Sequence, residues 1–105
     1  MMGNGHISVH DLKKRMDNGE DWQVFDVRSI YEYANGHIDG SVNLTVNSLL
    51  SQIDRIPKTK PVALICASGG RSSIGCRLLM SSGFDNVYNV RGGMSGWVLS
   101  GYPTA

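Results

Sequence analysis

The sequence predicts an α/β fold: a mostly parallel central sheet of about five strands, flanked by helices on both faces. Three observations carry that expectation. Short apolar runs alternate with helical segments along the chain, the pattern of successive βαβ units. The run Val62-Ala63-Leu64-Ile65 is apolar at every position, as a strand buried on both faces requires. The length of 105 residues, with 41% hydrophobic and 18% charged residues, suits one globular domain spanning 1–105 with a core of its own. There is no internal repeat and no low-complexity linker.

The elements read in order as follows. Ile7-Ser8-Val9 is a short opening strand. A helix begins at Ser8 or His10 and runs to Asn18, with Val9, Leu12 and Met16 on one face and Gly19 as its stop. Trp22 to Val27 is a strand ending at Asp26-Val27-Arg28. Ser29 caps a short helix through Ala34, with Glu32 in its first turn and Asn35-Gly36 ending it. Gly36-His37-Ile38-Asp39-Gly40 is a turn into a short strand, Ser41-Val42-Asn43. Asn47-Ser48 starts a helix through Ile53, with Pro57 beyond it. Val62 to Ile65 is the most apolar strand. Ser72 or Ser73 begins a helix through Ser82, stopped by Gly83. Val87 to Val90 is the next strand, and Gly93 to Leu99 the final short helix, with Gly101 and Pro103 after it.

Charge narrows the functional classes. The net charge is +1 and the densest basic cluster is Lys13-Lys14-Arg15, on the solvated face of an amphipathic helix. Nucleic acid and an acidic membrane are therefore not expected as partners. No apolar stretch approaches the roughly 20 residues of a membrane span, and Met1-Met2-Gly3-Asn4-Gly5-His6 lacks the regions of a signal peptide. Two cysteines in a chain of this size fit a reducing, cytoplasmic setting. Cys66 and Cys76 do not form a C-x-x-C pair, so nothing local supports a dithiol mechanism. No cluster has metal-ligand spacing, so neither a metal nor another cofactor is expected.

The segment Cys66-Ala67-Ser68-Gly69-Gly70-Arg71-Ser72-Ser73 carries the chemistry. A buried strand ends at a cysteine, and a glycine-rich loop leads into a helix. Such a loop can turn successive N–H groups inward to form an anion nest, and a helix start adds its own positive end. A thiol held there loses its proton more easily than a free one, whose pKa is about 8.5, and becomes a candidate nucleophile. Two readings of Cys66 remain open on these residues alone: a reactive thiolate, or a small buried hydrophobe beside a tight glycine turn. In open parallel sheets, functional residues gather at the carboxyl ends of strands. Asp26-Val27-Arg28, Cys66 and Val90-Arg91-Gly92-Gly93 are three such ends.

Nearly end to end, from about Ile7 to Tyr102, the chain resembles a single-domain rhodanese, a sulfurtransferase module. The resemblance rests on Asp26-Val27-Arg28, Tyr31-Glu32-Tyr33 and Gly36-His37-Ile38-Asp39-Gly40-Ser41-Val42-Asn43. It continues in the loop from Cys66 to Ser72, and in Val90-Arg91-Gly92-Gly93 with Trp97. Asp39 stands where the family commonly has proline, a change that a turn accommodates. The resemblance implies that Cys66 is a sulfur-carrying nucleophile working by double displacement. Its thiolate takes the outer sulfur of a donor such as thiosulfate, and cyanide or a thiol then removes it. A protein persulfide is a further possible donor. The N–H groups from Ala67 through Ser68, Gly69, Gly70 and Arg71 to Ser72 then bind the thiolate and the persulfide.

Each neighbouring residue has a plainer reading beside the functional one. Arg71 suits bidentate contact with an oxyanion donor, against a tether for the loop or a solvated charge; donor contact is the favoured reading. Ser72 and Ser73 are most simply helix caps, with a hydroxyl hydrogen bond to sulfur as the alternative. Arg28 and Glu32 are spaced for a local structural ion pair, while Asp26 can shape the site. His37 belongs to a turn motif, and a preformed thiolate needs no general base. Cys76 is expected in the core, the alternative being a resolving cysteine. Trp22 and Trp97 are expected as core aromatics.

Two other classes are weighed against a sulfurtransferase. Phosphatases and arsenate reductases of related fold use a C-x5-R loop, usually with histidine before the cysteine. Here the spacing from Cys66 to Arg71 is C-x4-R, with Ile65 before it. The shorter loop makes a tighter cup, fit for one sulfur atom. A non-catalytic rhodanese-like interaction or sulfur-carrier module is the other alternative, and the presence of Cys66 weighs against it. The reading is thus a thiosulfate sulfurtransferase with a persulfide on Cys66.

Overall fold

Parallel strands cannot be joined by tight hairpins, so each connection must cross over the sheet. The computed structural model describes residues 4–105; Met1-Met2-Gly3, part of the stretch read above for a signal peptide, lies outside the described residues. The strands are β1 (Gly5–Ser8), β2 (Gln23–Asp26), β3 (Val42–Asn43), β4 (Val62–Ile65) and β5 (Val87–Arg91). They form one sheet in the order β1-β5-β4-β2-β3, every pairing parallel. The helices are α1 (Val9–Asp17), α2 (Ile30–Ala34), α3 (Gly70–Ser81) and α4 (Gly93–Leu99). No helix among the described residues is long and apolar enough to cross a membrane.

Strand alternation divides the core into two layers. On β4, Val62 and Leu64 face one way and Ala63 and Ile65 the other. The first face packs Phe25, Val27, Leu44 and Leu49 against Cys76 and Leu79 of α3. The second packs Val24, Ala63, Ile65 and Val90 against Val9 and Leu12 of α1 and Met94 and Trp97 of α4. This is the expected sheet with helices on both faces. Local signals start the helices. The Ser8 hydroxyl accepts from the Asp11 N–H at 3.0 Å to cap α1, and Ser29 with Glu32 forms a reciprocal capping box on α2.

Three expected elements differ from the structure. The opening strand expected at Ile7 to Val9 is Gly5–Ser8, because Ser8 caps α1 and Val9 already belongs to that helix. The helix expected from Asn47 to Ile53 is instead two separate 3₁₀ turns, Val46–Ser48 and Ile53–Arg55. Thr45 and Ser51 bond locally to Ser48, which competes with the helical ladder, while buried Leu49 pins the segment to the core. The helix expected from Ser72 or Ser73 begins earlier, at Gly70 with Gly69 as N-cap. Gly69 adopts φ +112°, which spares the turn a capping side chain.

Leu64 is fully buried at the centre of β4. Leu64→Ala is expected to lower unfolding free energy by about 2–5 kcal/mol, measured as a reduced denaturant midpoint with an unchanged slope.

Candidate active site

The side chain of Cys66 follows from the parity of β4. Val62, Leu64 and Cys66 share the α3 face, and Cys66 is the first residue past the strand. It is only 1% exposed. The chain then turns through Ala67, Ser68 and Gly69 into α3, and the Gly69 N–H donates to the Cys66 sulfur at 3.1 Å. The Ser72 hydroxyl lies 3.3 Å from the same sulfur. Burial pushes the Cys66 thiol up. The Ser72 hydroxyl and the N–H groups of Ser72, Gly69 and Ser68 outweigh that effect and hold it below its ordinary value.

The start of the loop is gripped from its other side, through the peptides that carry the Ala67 and Ser68 N–H groups. The N–H of Met94 donates to the Cys66 carbonyl at 2.8 Å, and that of Ser95 to the Ala67 carbonyl at 3.0 Å. Both donors belong to the unpaired first turn of α4. Gly93 makes the approach possible. It sits at φ +56°, and a Cβ there would lie 2.5 Å from the Cys66 oxygen and 2.6 Å from the Ala67 oxygen. The sequence reading placed Gly92-Gly93 in a closing block without this role; a glycine pair at the carboxyl end of a strand is the signal that marks it.

Charged side chains sort differently from the expectation. Arg28 does not pair with Glu32. It folds back onto Asp26, with its Nε 2.9 Å and its Nη2 2.7 Å from the carboxylate oxygens, because two residues of extended chain bring both side chains to one side. This pair is buried, and the guanidinium also donates to the Gly36 carbonyl at 2.7 Å, so Asp26 and Arg28 brace the turn. Glu32 instead takes a two-pronged contact from Arg71, at 2.7 and 2.9 Å. Arg71 and the backbone N–H of Ser29 hold the Glu32 carboxyl down at about 2. Arg71 thus stands at the loop's edge with its fork engaged, its side chain 40% exposed.

Neither serine caps α3, whose N-cap is Gly69 with no side-chain cap bond. Ser72 sits in the first turn of α3 and is fully buried. Besides the sulfur contact, its hydroxyl donates to the side-chain oxygen Oδ1 of Asn89 at 2.5 Å. Asn89 is a polar residue on the inward face of β5, a signal the sequence reading passed over. Of the two loop glycines, only Gly69 needs its conformational freedom. Gly70 has ordinary helical geometry, and a Cβ there meets nothing within 4 Å. His37 stacks on Tyr33 and its Nδ1 lies 2.8 Å from the Tyr33 carbonyl, as a turn residue. Cys76 packs in the core, where burial pushes its thiol up to about 12. Trp97 is buried, and Trp22 is half-buried against Tyr88.

Comparison with known proteins agrees with this fold. Residues 8–100 match the rhodanese-like domain family. The thiosulfate sulfurtransferase GlpE of Shewanella oneidensis is 35% identical over 92 residues, covering 88% of this chain and 90% of that one. A sulfurtransferase of Allochromatium vinosum is 34% identical over 97 residues, covering 92% and 91%. The crystal structure of a rhodanese-related protein from Thermoplasma volcanium superposes with a TM-score of 0.87 at 31% identity, covering 95% of this chain and 96% of that one.

Two outcomes are expected. Gly93→Ala drives a methyl group into two loop carbonyls, so it should lower stability and slow alkylation of Cys66 in the molecules that remain folded. The second outcome concerns pH. A carboxyl held at about 2, against 4.5 for the ordinary group, stabilises the fold above about pH 4.5. That contribution fades as the pH falls towards 2. Glu32→Gln should therefore flatten this part of the acid unfolding curve.

Proposed function

The chain belongs to the rhodanese-like domain family, and on that footing we propose that it carries sulfane sulfur as a persulfide on Cys66. Rhodanese-type sulfur transfer is the family-level activity. The proposed donor is thiosulfate or a persulfide, including a protein persulfide, and the acceptor is cyanide or a thiol. The observation that carries the reading is the Gly69 N–H directed at the Cys66 sulfur, in a loop whose Cys66 and Ala67 carbonyls are held by α4.

The Cys66 thiolate attacks the outer sulfur of thiosulfate. A bond forms between the two sulfurs, the S–S bond of the donor breaks, and its electron pair leaves with sulfite. The resulting persulfide is again an anion at the loop floor, so the donors that stabilise the thiolate serve it too. Cyanide, or the thiolate of an acceptor, then attacks the terminal sulfur. The bond to Cys66 breaks, and its electron pair restores the Cys66 thiolate. Neither half-reaction needs a general base once the thiolate exists.

The remaining site residues divide the work. Ala67, Ser68, Gly69, Gly70 and Ser72 form the backbone cup that receives the transferred sulfur. A nearly covered floor favours a single terminal atom over a tetrahedral phosphate, which supports sulfur transfer above phosphatase chemistry. Arg71 faces an anionic donor, and its fork must share or leave Glu32 to do so. Cys76 takes no part. A cytoplasmic setting suits a site that works as a reduced thiolate.

The direct test is intact-protein mass before and after exposure to thiosulfate. The wild type should gain one sulfur atom and lose it to cyanide, and Cys66→Ser should do neither. Transfer to cyanide that survives in Cys66→Ser would sink the mechanism. Cys76→Ala should turn over within about twofold of wild type, consistent with the small effects of substitutions remote from the chemistry; a large loss would make Cys76 a resolving thiol.

A further inference from the structure

One polar chain in the sheet is unexplained by helix capping or by sulfur transfer as such. Asn89 lies in a lateral row across five strands: His6 of β1, Asn89 of β5, Leu64 of β4, Phe25 of β2 and Val42 of β3. Its neighbours on the β4 side are apolar, and Asn89 itself is only 5% exposed. Its side-chain oxygen accepts from Ser72 at 2.5 Å, and its amide nitrogen lies 3.3 Å from Nδ1 of exposed His6. A polar chain therefore runs from the Cys66 sulfur through Ser72 and Asn89 to His6 at the surface.

Proton counting gives this chain a consequence. The Ser72 hydroxyl has one hydrogen and two claimants, the Cys66 sulfur and the Asn89 side-chain oxygen. While the hydrogen points to Asn89, Ser72 can only accept from the sulfur, an arrangement that suits the S–H form. A thiolate needs the hydrogen turned towards it. The Asn89 amide also has two orientations. With its oxygen on Ser72 it withholds the hydrogen from sulfur. With its nitrogen on Ser72 it donates to the hydroxyl oxygen and leaves the hydrogen free for sulfur. His6, as the acceptor at the far end, favours the first orientation, since an amide nitrogen donates and the Nδ1 lone pair receives.

We propose that Asn89 is a positioning residue of the sulfur site: it competes with Cys66 for the Ser72 hydroxyl hydrogen and so limits the support Ser72 gives the thiolate in the resting protein, and His6 holds Asn89 in that orientation. The residue acts on the reacting sulfur only through Ser72. This inference rests on Cys66 working as a thiolate, but it can be tested without any sulfur donor.

Charged groups elsewhere act on both ends and must stay constant in the test. Around Cys66 these are Arg71 of α3 and its partner Glu32 of α2, with the Asp26–Arg28 pair at the end of β2. His6 borders two clefts, one shared with Asp11 and Arg15 of α1 and Tyr88 of β5, the other with Arg77 and Cys76 of α3. Substituting Asn89 by leucine, of similar shape, alters no charge.

The experiment follows the ultraviolet absorbance of the Cys66 thiolate against pH, taken as the difference from Cys66→Ala, so that neither donor nor access to the sulfur matters. Asn89→Leu is expected to move the midpoint down by about half a pH unit to one pH unit, the worth of one redirected hydrogen bond. In a Ser72→Ala background the same substitution should move it by almost nothing, because the intermediary is gone. An unchanged or raised midpoint in Asn89→Leu, or an equal shift without Ser72, would overturn the proposal. Should Asn89→Leu fail to fold, His6→Leu at the surface takes its place. Loss of the imidazole acceptor is expected to lower the midpoint in the same direction, and an unmoved midpoint would overturn the proposal. If these shifts appear while thiosulfate adds no sulfur, the donor assignment fails and the role of Asn89 stands.

Discussion

The two hydrogen bonds from Met94 and Ser95 to the carbonyls of Cys66 and Ala67 are the constraint on which the site depends. A peptide cannot point its carbonyl and its N–H the same way. Fixing those oxygens on α4 turns the N–H of the Ala67–Ser68 peptide the other way, towards the sulfur. The chain that makes the fixture lies about 28 residues downstream of the loop it fixes. It reaches the loop because β5 runs parallel to β4 and delivers α4 to the same sheet edge. Parallel topology thus does more than place a cysteine at a strand end; it brings a second helix start against the first loop.

A second tie crosses the site from the other side. Glu32 closes the capping box of α2 and also receives the Arg71 fork. An exposed ion pair contributes little stability, about 0.2–1 kcal/mol, yet its geometry has a consequence for chemistry. A carboxylate already oriented by the Ser29 N–H loses little further freedom when Arg71 docks. The guanidinium is thereby parked beside the loop and not inside it, and under the proposed function an anionic donor competes with Glu32 for it. The fold offers the cation at the edge of the loop, while the groups against the sulfur are backbone N–H groups and the Ser72 hydroxyl.

Local rules made much of this legible in the chain. The apolar run Val62–Ile65, the Ser29–Glu32 box and the glycine stops mark strands and helices through contacts within a few residues, and those elements stand where the pattern puts them. The spacing of Cys66, Gly69 and Arg71 marked the loop for the same reason. What was not legible depends on partners distant in sequence. Glu32 and Arg71 are 39 positions apart, so Arg28, nearer in the chain, looked like the partner; its side chain was claimed by Asp26 instead. Ser72 looked like a cap because serine near a helix start is one, but positive-φ Gly69 had already begun the helix. The 3₁₀ turns replaced a helix because serine and threonine side chains competed with its backbone ladder.

Asn89 shows where such reading has its limit and what physical sense lies there. An amide on the covered face of a central strand costs free energy unless its groups are matched, and here one side chain matches Ser72 below and His6 at the edge. Burial alone would keep Cys66 as an inert thiol, and a nest without burial would leave its anion to water. The site combines both, so the balance rests on few donors, and a single hydroxyl hydrogen is enough to tilt it. That places the control of the sulfur one residue behind the loop, in the sheet, where neither the loop's sequence nor its shape announces it.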